Sequence, residues 1–123
     1  MIEVNNLTSL EVDEKFLKRV VGLVLNREKK EKKLSLVLVG QKRIKELNRK
    51  YRKKNRATDV LSFSYGDSGE VVLCLGIIRK NAKEYGLPFK KELARILIHG
   101  LLHLLGYGHQ KIRKKEEYYL SKF

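Results

Sequence analysis

The three histidines of the 123-residue chain all lie within residues 99–109, which read HGLLHLLGYGH. On a helix, side chains four residues apart project from the same face, with their roots about 5–6 Å apart. His99 and His103 can therefore direct ring nitrogens at one ion, each roughly 2.0–2.1 Å from it. Gly106 follows where the helix must end, and glycine readily adopts the left-handed conformation that closes a helix. The chain can then turn back and bring His109 to the same ion.

This spacing predicts one divalent ion per chain, which we take to be Zn²⁺, with His99, His103 and His109 as its ligands. Three neutral imidazoles leave the fourth position of a tetrahedral ion open for water, as in catalytic rather than structural zinc sites. A single histidine on an apolar helix is more often a core residue. The gathering of all three around one glycine, with none elsewhere in the chain, favours the metal site.

Gly100 limits the chemistry that such an ion could perform. The pattern H-E-x-x-H-x-x-G-x-x-H of the metzincin zinc peptidases fits residues 99–109, but the glutamate that serves as their general base falls on Gly100. A glycine cannot take a proton from water, so the peptidase reaction lacks its base. A metal-dependent peptidase therefore stands only as an alternative function.

The charge of the chain indicates a polyanionic partner. There are 28 Lys and Arg against 14 Asp and Glu, a formal net charge of +14, and such an excess in a small protein favours nucleic acid. A lysine-rich surface that serves solubility or heat resistance is the alternative. The excess is concentrated in residues 42–56, where nine basic residues accompany one acid. Within this basic run we predict a patch that binds the phosphates of a nucleic acid and includes Lys50, Arg52, Lys53, Lys54 and Arg56.

Length and composition indicate one domain, residues 1–123, that acts in the cytoplasm. The lone Cys74 cannot form an internal disulfide and is typical of a reducing compartment. The first sixteen residues lack the basic start and the apolar core of a signal peptide. No apolar run approaches the roughly 18 residues of a membrane span, so we predict no membrane association.

Hydrophobic periodicity predicts an α+β fold: a single mixed sheet of about four strands with surrounding helices, one of them a zincin-like metal helix. Strands are expected at 2–5, 34–39, 58–65 and 70–75, the last two as a hairpin. A helix after the second strand should carry Tyr51 on its inner stripe. The metal helix should begin at Pro88. Glu92 on that helix is interpreted as a surface acid paired with Arg95.

Three stretches of the sequence resemble one known family. Residues 99–109 resemble the signature H-G-x-L-H-L-x-G-Y-D-H. Residues 51–63, YRKKNRATDVLSF, resemble Y-R-x-K-(x)₃-T-[DN]-V-L-S-F, and residues 69–74, GEVVLC, resemble G-D-I-V-I-C. These are motifs of the YbeY family, bacterial metal-dependent endoribonucleases of ribosomal RNA maturation. The resemblance covers most of residues 47–109.

The resemblance implies a histidine-bound zinc and a functional arginine at Arg52, with Arg52 and His99 as the catalytic residues. It also implies a monomeric endoribonuclease that prefers single-stranded RNA, so the five residues of the phosphate-binding patch would be RNA contacts. Its partner would be the 16S rRNA precursor or the small ribosomal subunit, in 16S rRNA 3′-end maturation and ribosome quality control. Two positions depart from the family pattern: Gly108 replaces an aspartate and Ala57 replaces a proline. The first change removes a carboxylate that could orient a metal ligand.

Phosphodiester cleavage suits these residue types. A divalent ion lowers the pKa of bound water to about 7 or polarises a phosphate oxygen, and arginine grips phosphate with two parallel hydrogen bonds. A non-catalytic RNA-binding protein of ribosome assembly, with a structural zinc, is the second alternative. Structural zinc normally has four protein ligands. No fourth ligand is evident in the sequence, because Cys74 belongs to a separate strand.

Overall fold

The computed structural model describes residues 2–123. Within them the chain forms four strands and five helices in the order β1-α1-β2-α2-β3-β4-α3-α4-α5. The strands are β1 (Ile2–Asn6), β2 (Lys33–Val39), β3 (Val60–Tyr65) and β4 (Ser68–Cys74). The helices are α1 (Glu14–Arg27), α2 (Gln41–Arg52), α3 (Leu75–Tyr85), α4 (Phe89–Leu104) and α5 (His109–Leu120).

The strands form one mixed sheet in the order β1-β2-β4-β3. β1, β2 and β4 run parallel, whereas β3 pairs antiparallel with β4. Parallel neighbours require long crossover connections, which α1 supplies between β1 and β2. A two-residue turn, Gly66 and Asp67, joins β3 to β4. The predicted α+β fold, with its single mixed sheet and its hairpin, is confirmed.

Alternate residues of the strands fill two hydrophobic clusters on opposite faces of the sheet. On one face, Leu34, Leu36 and Leu38 of β2 pack with apolar residues of α1, α3, α4 and α5. On the other face, Val39 and Cys74 pack with Ile44 of α2. The helix that carries two histidines and the helix that begins the basic run therefore lie on different faces. They approach each other at β3, which is an edge strand.

Helix α4 lies directly against the sheet because Gly100 has no side chain. A Cβ atom at this position would stand 2.9 Å from Cγ2 of Val60 and 3.2 Å from Cγ1 of Val71. The hydroxyl of Ser62 on β3 donates a hydrogen bond to the carbonyl of Gly100 over 2.8 Å. The close approach and this hydrogen bond fix the distance between α4 and the edge strand.

The turn after α4 follows the predicted course. Gly106 has a φ of +90°, in the left-handed region that glycine tolerates. α5 then begins at His109, and its N-cap residue, Gly108, has no side chain to accept a hydrogen bond from the first turn. The two helices that carry the histidines are thus joined by a short, sharply turned connection.

A buried carboxylate fastens the end of α1 to α5. Glu28 accepts hydrogen bonds from the hydroxyls of Tyr107 and Tyr119, and Lys115 pairs with it at 3.0 Å. Burial raises the pKa of Glu28, but these donors outweigh burial and hold that pKa below its ordinary value. The cluster keeps α5 in place behind the histidines.

Two sequence-based assignments are wrong. Tyr51 is not on the inner stripe of α2: it is 51% exposed, and its ring packs edge-on against Phe63 of β3 instead of the core. Glu92 pairs with Arg95 as predicted, but it is fully buried, because the guanidinium satisfies both of its oxygens. Within residues 2–123, no helix is both long enough and apolar enough to cross a membrane.

Candidate active site

The structure gathers the three predicted metal ligands into one cluster. The Nε2 atoms of His99 and His103, one turn apart on α4, are separated by 3.1 Å, and their ring centres by 4.6 Å. His109, the first residue of α5, places its ring centre 5.6 Å from that of His103. His103 is therefore the middle ring of the cluster.

The distances between His99 and His103 fit two ligands of a single ion. Three imidazoles bound tetrahedrally at about 2.0 Å have their coordinating nitrogens about 3.3 Å apart and their ring centres about 5 Å apart. In residues 2–123, no three His, Cys, Asp or Glu side chains already meet the full geometry of a metal site. His109 is exposed at the start of α5, 5.6 Å from His103 between ring centres, and stays a predicted third ligand.

Glu116 on α5 contacts the first histidine. Its Oε2 lies 3.3 Å from Nδ1 of His99, and a carboxylate there favours the tautomer with its proton on Nδ1. Nε2 of His99 then presents its lone pair to His103. Burial, together with the neighbouring His99 and His109, holds the pKa of His103 below its ordinary value. The neutral form that can bind a metal is therefore favoured at neutral pH.

Glu116 is itself held by an arginine. Nη1 of Arg95 lies 3.4 Å from Oε1 of Glu116, while Nε and Nη2 of the same guanidinium each donate to Glu92 over 2.8 Å. Hydrogen bonding to Glu92 raises the pKa of Arg95 in spite of its partial burial. The arginine therefore stays charged and bridges a fully buried carboxylate to one that contacts His99.

A cleft of about 790 Å³ runs between α4 and the segment from α2 to β3. His99 and His103 line it from α4, and three of the five predicted RNA contacts line it from the opposite side: Arg52, Lys54 and Arg56. The other two lie outside its lining. Lys50 borders a smaller groove of about 300 Å³ on α2, and Lys53 is exposed at the end of that helix. His109 borders an adjacent groove formed by the turn between α4 and α5.

Arg52 is fixed at the wall of the cleft. Nη2 donates to the carbonyl of Ser62 over 2.7 Å, Nη1 donates to the carbonyl of Tyr51 over 3.4 Å, and the guanidinium lies 4.9 Å from the ring centre of Phe63. The hydroxyl of Ser62 also binds the carbonyl of Gly100. Arg52 and the histidine helix are thus anchored to the same residue of β3.

The loop that carries Lys54 and Arg56 is tied to α2. Nδ2 of the buried Asn48 donates to the carbonyl of Arg56 over 2.9 Å. Lys53 ends the helix with a φ of 57°, in the left-handed region. Because the backbone of the loop is held, the basic side chains extend from a defined position at the cleft.

The packing around Gly100 bears on the peptidase alternative. A side chain on Gly100 would meet Val60, Ser62 and Val71 on the sheet, all within 3.2 Å of its Cβ. A glutamate has no room there, so the peptidase alternative lacks its base for a structural reason as well.

Comparison with known proteins identifies the family of this chain. The sequence model of Endoribonuclease YbeY matches residues 3–121. The chain belongs to the YbeY family. The predicted resemblance and the predicted enzyme class, an endoribonuclease, are both confirmed.

Individual YbeY relatives match over most of their length. The Endoribonuclease YbeY of Carboxydothermus hydrogenoformans is 41% identical over 98% of this chain and 96% of its own. That of Thermosipho melanesiensis is 39% identical over 84% of this chain and 77% of its own. The solution structure of TM1509 from Thermotoga maritima, at 31% identity, superposes with a TM-score of 0.71 over 98% of this chain and 87% of that one.

Sequence reasoning missed two residues of this YbeY site. Glu116 was not recognised as a partner of His99, although it lies seven residues after His109 and so on the same face of α5. Tyr51 was assigned to the core, although its ring is exposed beside Arg52. The signal for Glu116 was its spacing from a predicted ligand, and the signal for Tyr51 was its place within a strongly basic run.

Proposed function

We propose that this endoribonuclease is zinc-dependent and cleaves single-stranded RNA in the cleft between α4 and β3. One Zn²⁺ per chain would be held by His99, His103 and His109. The observation that carries the proposal is the pair of histidine nitrogens 3.1 Å apart in a cleft whose opposite wall is basic. That arrangement combines a metal-binding donor set with a surface suited to phosphate.

Zinc bound there would supply a Lewis acid for a phosphate oxygen. Arg52 contributes charge and orientation. A guanidinium has five N–H donors, and Arg52 uses two of them on Ser62 and Tyr51, so three stay free for a phosphate. The guanidinium would stabilise charge that develops on the phosphate. His99 would act in catalysis only through the ion that it would hold, since its Nδ1 lies against Glu116.

An exposed aromatic ring, Tyr51, packed against the half-buried Phe63 supports a preference for unpaired RNA. Tyr51 packs edge-on against Phe63, with ring centres 5.4 Å apart, and the ammonium of Lys50 lies 5.2 Å from the tyrosine ring centre. Aromatic faces beside cations bind single-stranded bases by stacking, whereas bases in a duplex are not available to them. Lys50 and Lys53, outside the cleft lining, would then bind phosphates of a strand that extends along α2.

A structural zinc in a non-catalytic RNA-binding protein is less well supported. Such a site normally has four protein ligands. Cys74, the one cysteine, is fully buried in the hydrophobic cluster under α2, on the other face of the sheet from the histidine helix. A fourth position left to water or substrate fits the three-histidine cluster better.

We propose further that the enzyme acts as a monomer in the cytoplasm on the 16S rRNA precursor or the small ribosomal subunit. The roles would be 16S rRNA 3′-end maturation and ribosome quality control. Membership of the YbeY family and the strongly basic cleft support an RNA of this kind. A transcript that spans the 16S rRNA 3′ end with its precursor extension is the substrate to assay first.

Metal analysis combined with a cleavage assay tests the proposal. The purified protein should contain one zinc per chain and cut a single-stranded transcript faster than the same sequence in a duplex. His103→Ala, which removes the middle ring, should lose most of the zinc and the cleavage. Gln110→Ala, an exposed change beside His109, is the matched control and should retain both. Full zinc content in His103→Ala would contradict the predicted site.

A further inference from the structure

We infer that Glu116, braced by Arg95 and Glu92, is a positioning residue that orients His99 for metal binding. The inference rests on the zinc site proposed above. A continuous line of contacts leads from the interior to the ligand. Glu92 accepts two hydrogen bonds of 2.8 Å from Arg95, which lies 3.4 Å from Glu116, and Glu116 lies 3.3 Å from Nδ1 of His99.

The place of Glu116 on α5 suits this role. Residues seven apart on a helix lie two turns apart on nearly the same face, so α5 can supply both the third ligand, His109, and the carboxylate that contacts the first. The side chain of Glu116 is only 16% exposed and that of Arg95 34%. Limited access of water strengthens the hold of the carboxylate on the imidazole N–H.

The buried pair explains why Glu116 is fixed. A fully buried carboxylate such as Glu92 is costly unless it is paired, and here its two hydrogen bonds set the plane of the guanidinium. Nη1 of Arg95 is then left facing Glu116. A lysine has no planar fork and cannot hold both carboxylates in this manner. Arg95 therefore links Glu116 to Glu92, a side chain that is fixed in the core.

The same arrangement bears on Gly108. The YbeY pattern has an aspartate immediately before the third histidine, and this chain has none there. Glu116 provides a carboxylate to the ligand set from two turns further along α5. The chain thus keeps a carboxylate–histidine pair, which commonly fixes the tautomer of a metal-binding imidazole.

The tautomer of His99 in metal-free protein is the first test. With only three histidines in the chain, two-bond ¹H–¹⁵N NMR spectra resolve each ring. Wild type should show His99 protonated on Nδ1, and Glu116→Ala should shift it toward the Nε2-protonated form. Glu117→Ala removes the neighbouring exposed carboxylate of α5 and should leave His99 unchanged. An unchanged tautomer in Glu116→Ala would overturn the inference.

Zinc affinity, measured by competition with a chromophoric chelator, is the second test. Loss of such an outer partner typically weakens metal binding 10–100-fold, so Glu116→Ala should do so while Glu117→Ala does not. Arg95→Lys should weaken zinc binding in the wild-type background but have no further effect in Glu116→Ala. Equal effects of Arg95→Lys in both backgrounds would refute the brace.

The two proposals fail in different ways. Wild-type protein that takes up no zinc would refute the proposed zinc function, and the tautomer measurement would still decide whether Glu116 orients His99. A thermal scan of each metal-free variant accompanies both tests, because a general loss of folding would lower zinc affinity without changing the tautomer of the folded fraction.

Discussion

Arg52 is held by two carbonyl groups and an aromatic ring before any substrate arrives. An arginine that is oriented in advance is suited to charge that appears only during reaction, because little reorganisation is needed at that moment. Lysine at this position would keep the charge and lose the planar fork. Substitution by lysine therefore tests whether Arg52 acts through the geometry of its guanidinium or only through its charge.

We expect Arg52→Lys to lower the rate of RNA cleavage by about 10²–10³-fold, the usual cost of losing one oriented donor. RNA affinity should change little and zinc content should be intact, since Arg52 contacts none of the histidines in this structure. Single-turnover cleavage and equilibrium binding separate the two effects. Arg49→Lys, an exposed change on the same helix, is the control. Wild-type cleavage by Arg52→Lys would leave Arg52 as one more surface cation.

A second prediction at the scale of one residue concerns the packing of Gly100 against the sheet. Gly100→Ala would place a Cβ 2.9 Å from the branched side chain of Val60, and overpacking of this kind costs roughly 1–3 kcal/mol. Gly22→Ala in α1 is the matched control, because no atom lies within 4 Å of its Cβ position. It should be neutral or stabilising by up to about 1 kcal/mol. Chemical denaturation measures both, and equal stabilities would contradict the close approach of α4.

The helices and strands show which local signals suffice. Short apolar runs, alternation and helical spacing predicted the strands and the helix that carries two histidines, since these elements bury regular apolar faces. The errors concern residues whose surroundings come from distant parts of the chain. Tyr51 fits the apolar spacing of α2, yet its ring packs on β3. Glu92 is charged, yet Arg95 satisfies it inside the protein.

The Glu28 cluster, which connects α1 with α5, makes stability depend on pH in a defined direction. Its folded-state pKa is lowered, so the carboxylate contributes stability above the pKa of the unfolded chain, about 4.3. That contribution is lost as the pH falls through the folded-state value. Glu28→Gln should thus cost roughly 1–3 kcal/mol at pH 7, and the cost should shrink as the pH falls below about 4.3.

Urea denaturation of wild type and Glu28→Gln across this pH range measures the difference. Glu31→Gln, an exposed change three residues away, should show no such dependence. A difference between wild type and Glu28→Gln that stays constant from pH 7 to pH 3 would mean that the charge of Glu28 is not what the two tyrosines and Lys115 stabilise.

At the scale of the whole molecule, the sequence predicted only part of the candidate site. The i, i+4 spacing of His99 and His103 and the glycine after them are local features, and they predicted the cluster that the structure contains. The contact between Glu116 and His99 spans 17 residues, and the meeting of Arg52 with the histidine helix depends on β3 at the sheet edge. Such contacts follow from the topology of the fold, which spacing alone does not determine.

The net charge of +14 belongs to the whole surface. The position of the cleft predicts that only some of the basic residues bind RNA. Each phosphate contact with single-stranded RNA should contribute about 0.7 to the slope of log affinity against log salt. The double substitution of Lys54 and Arg56 by alanine should therefore flatten that slope by about 1.4. Lys80→Ala with Lys83→Ala removes the same charge from α3, which borders a different groove.

Because the two double variants have equal net charge, any difference between their salt slopes reports position and not total charge. The α3 variant should bind RNA with a nearly wild-type slope. Lys50→Ala with Lys53→Ala, outside the cleft lining, then shows how far the strand extends along α2: a reduced slope places phosphates there. If the cleft and α3 variants flatten the slope equally, the basic surface attracts RNA without a preferred path, and the cleft is not the footprint.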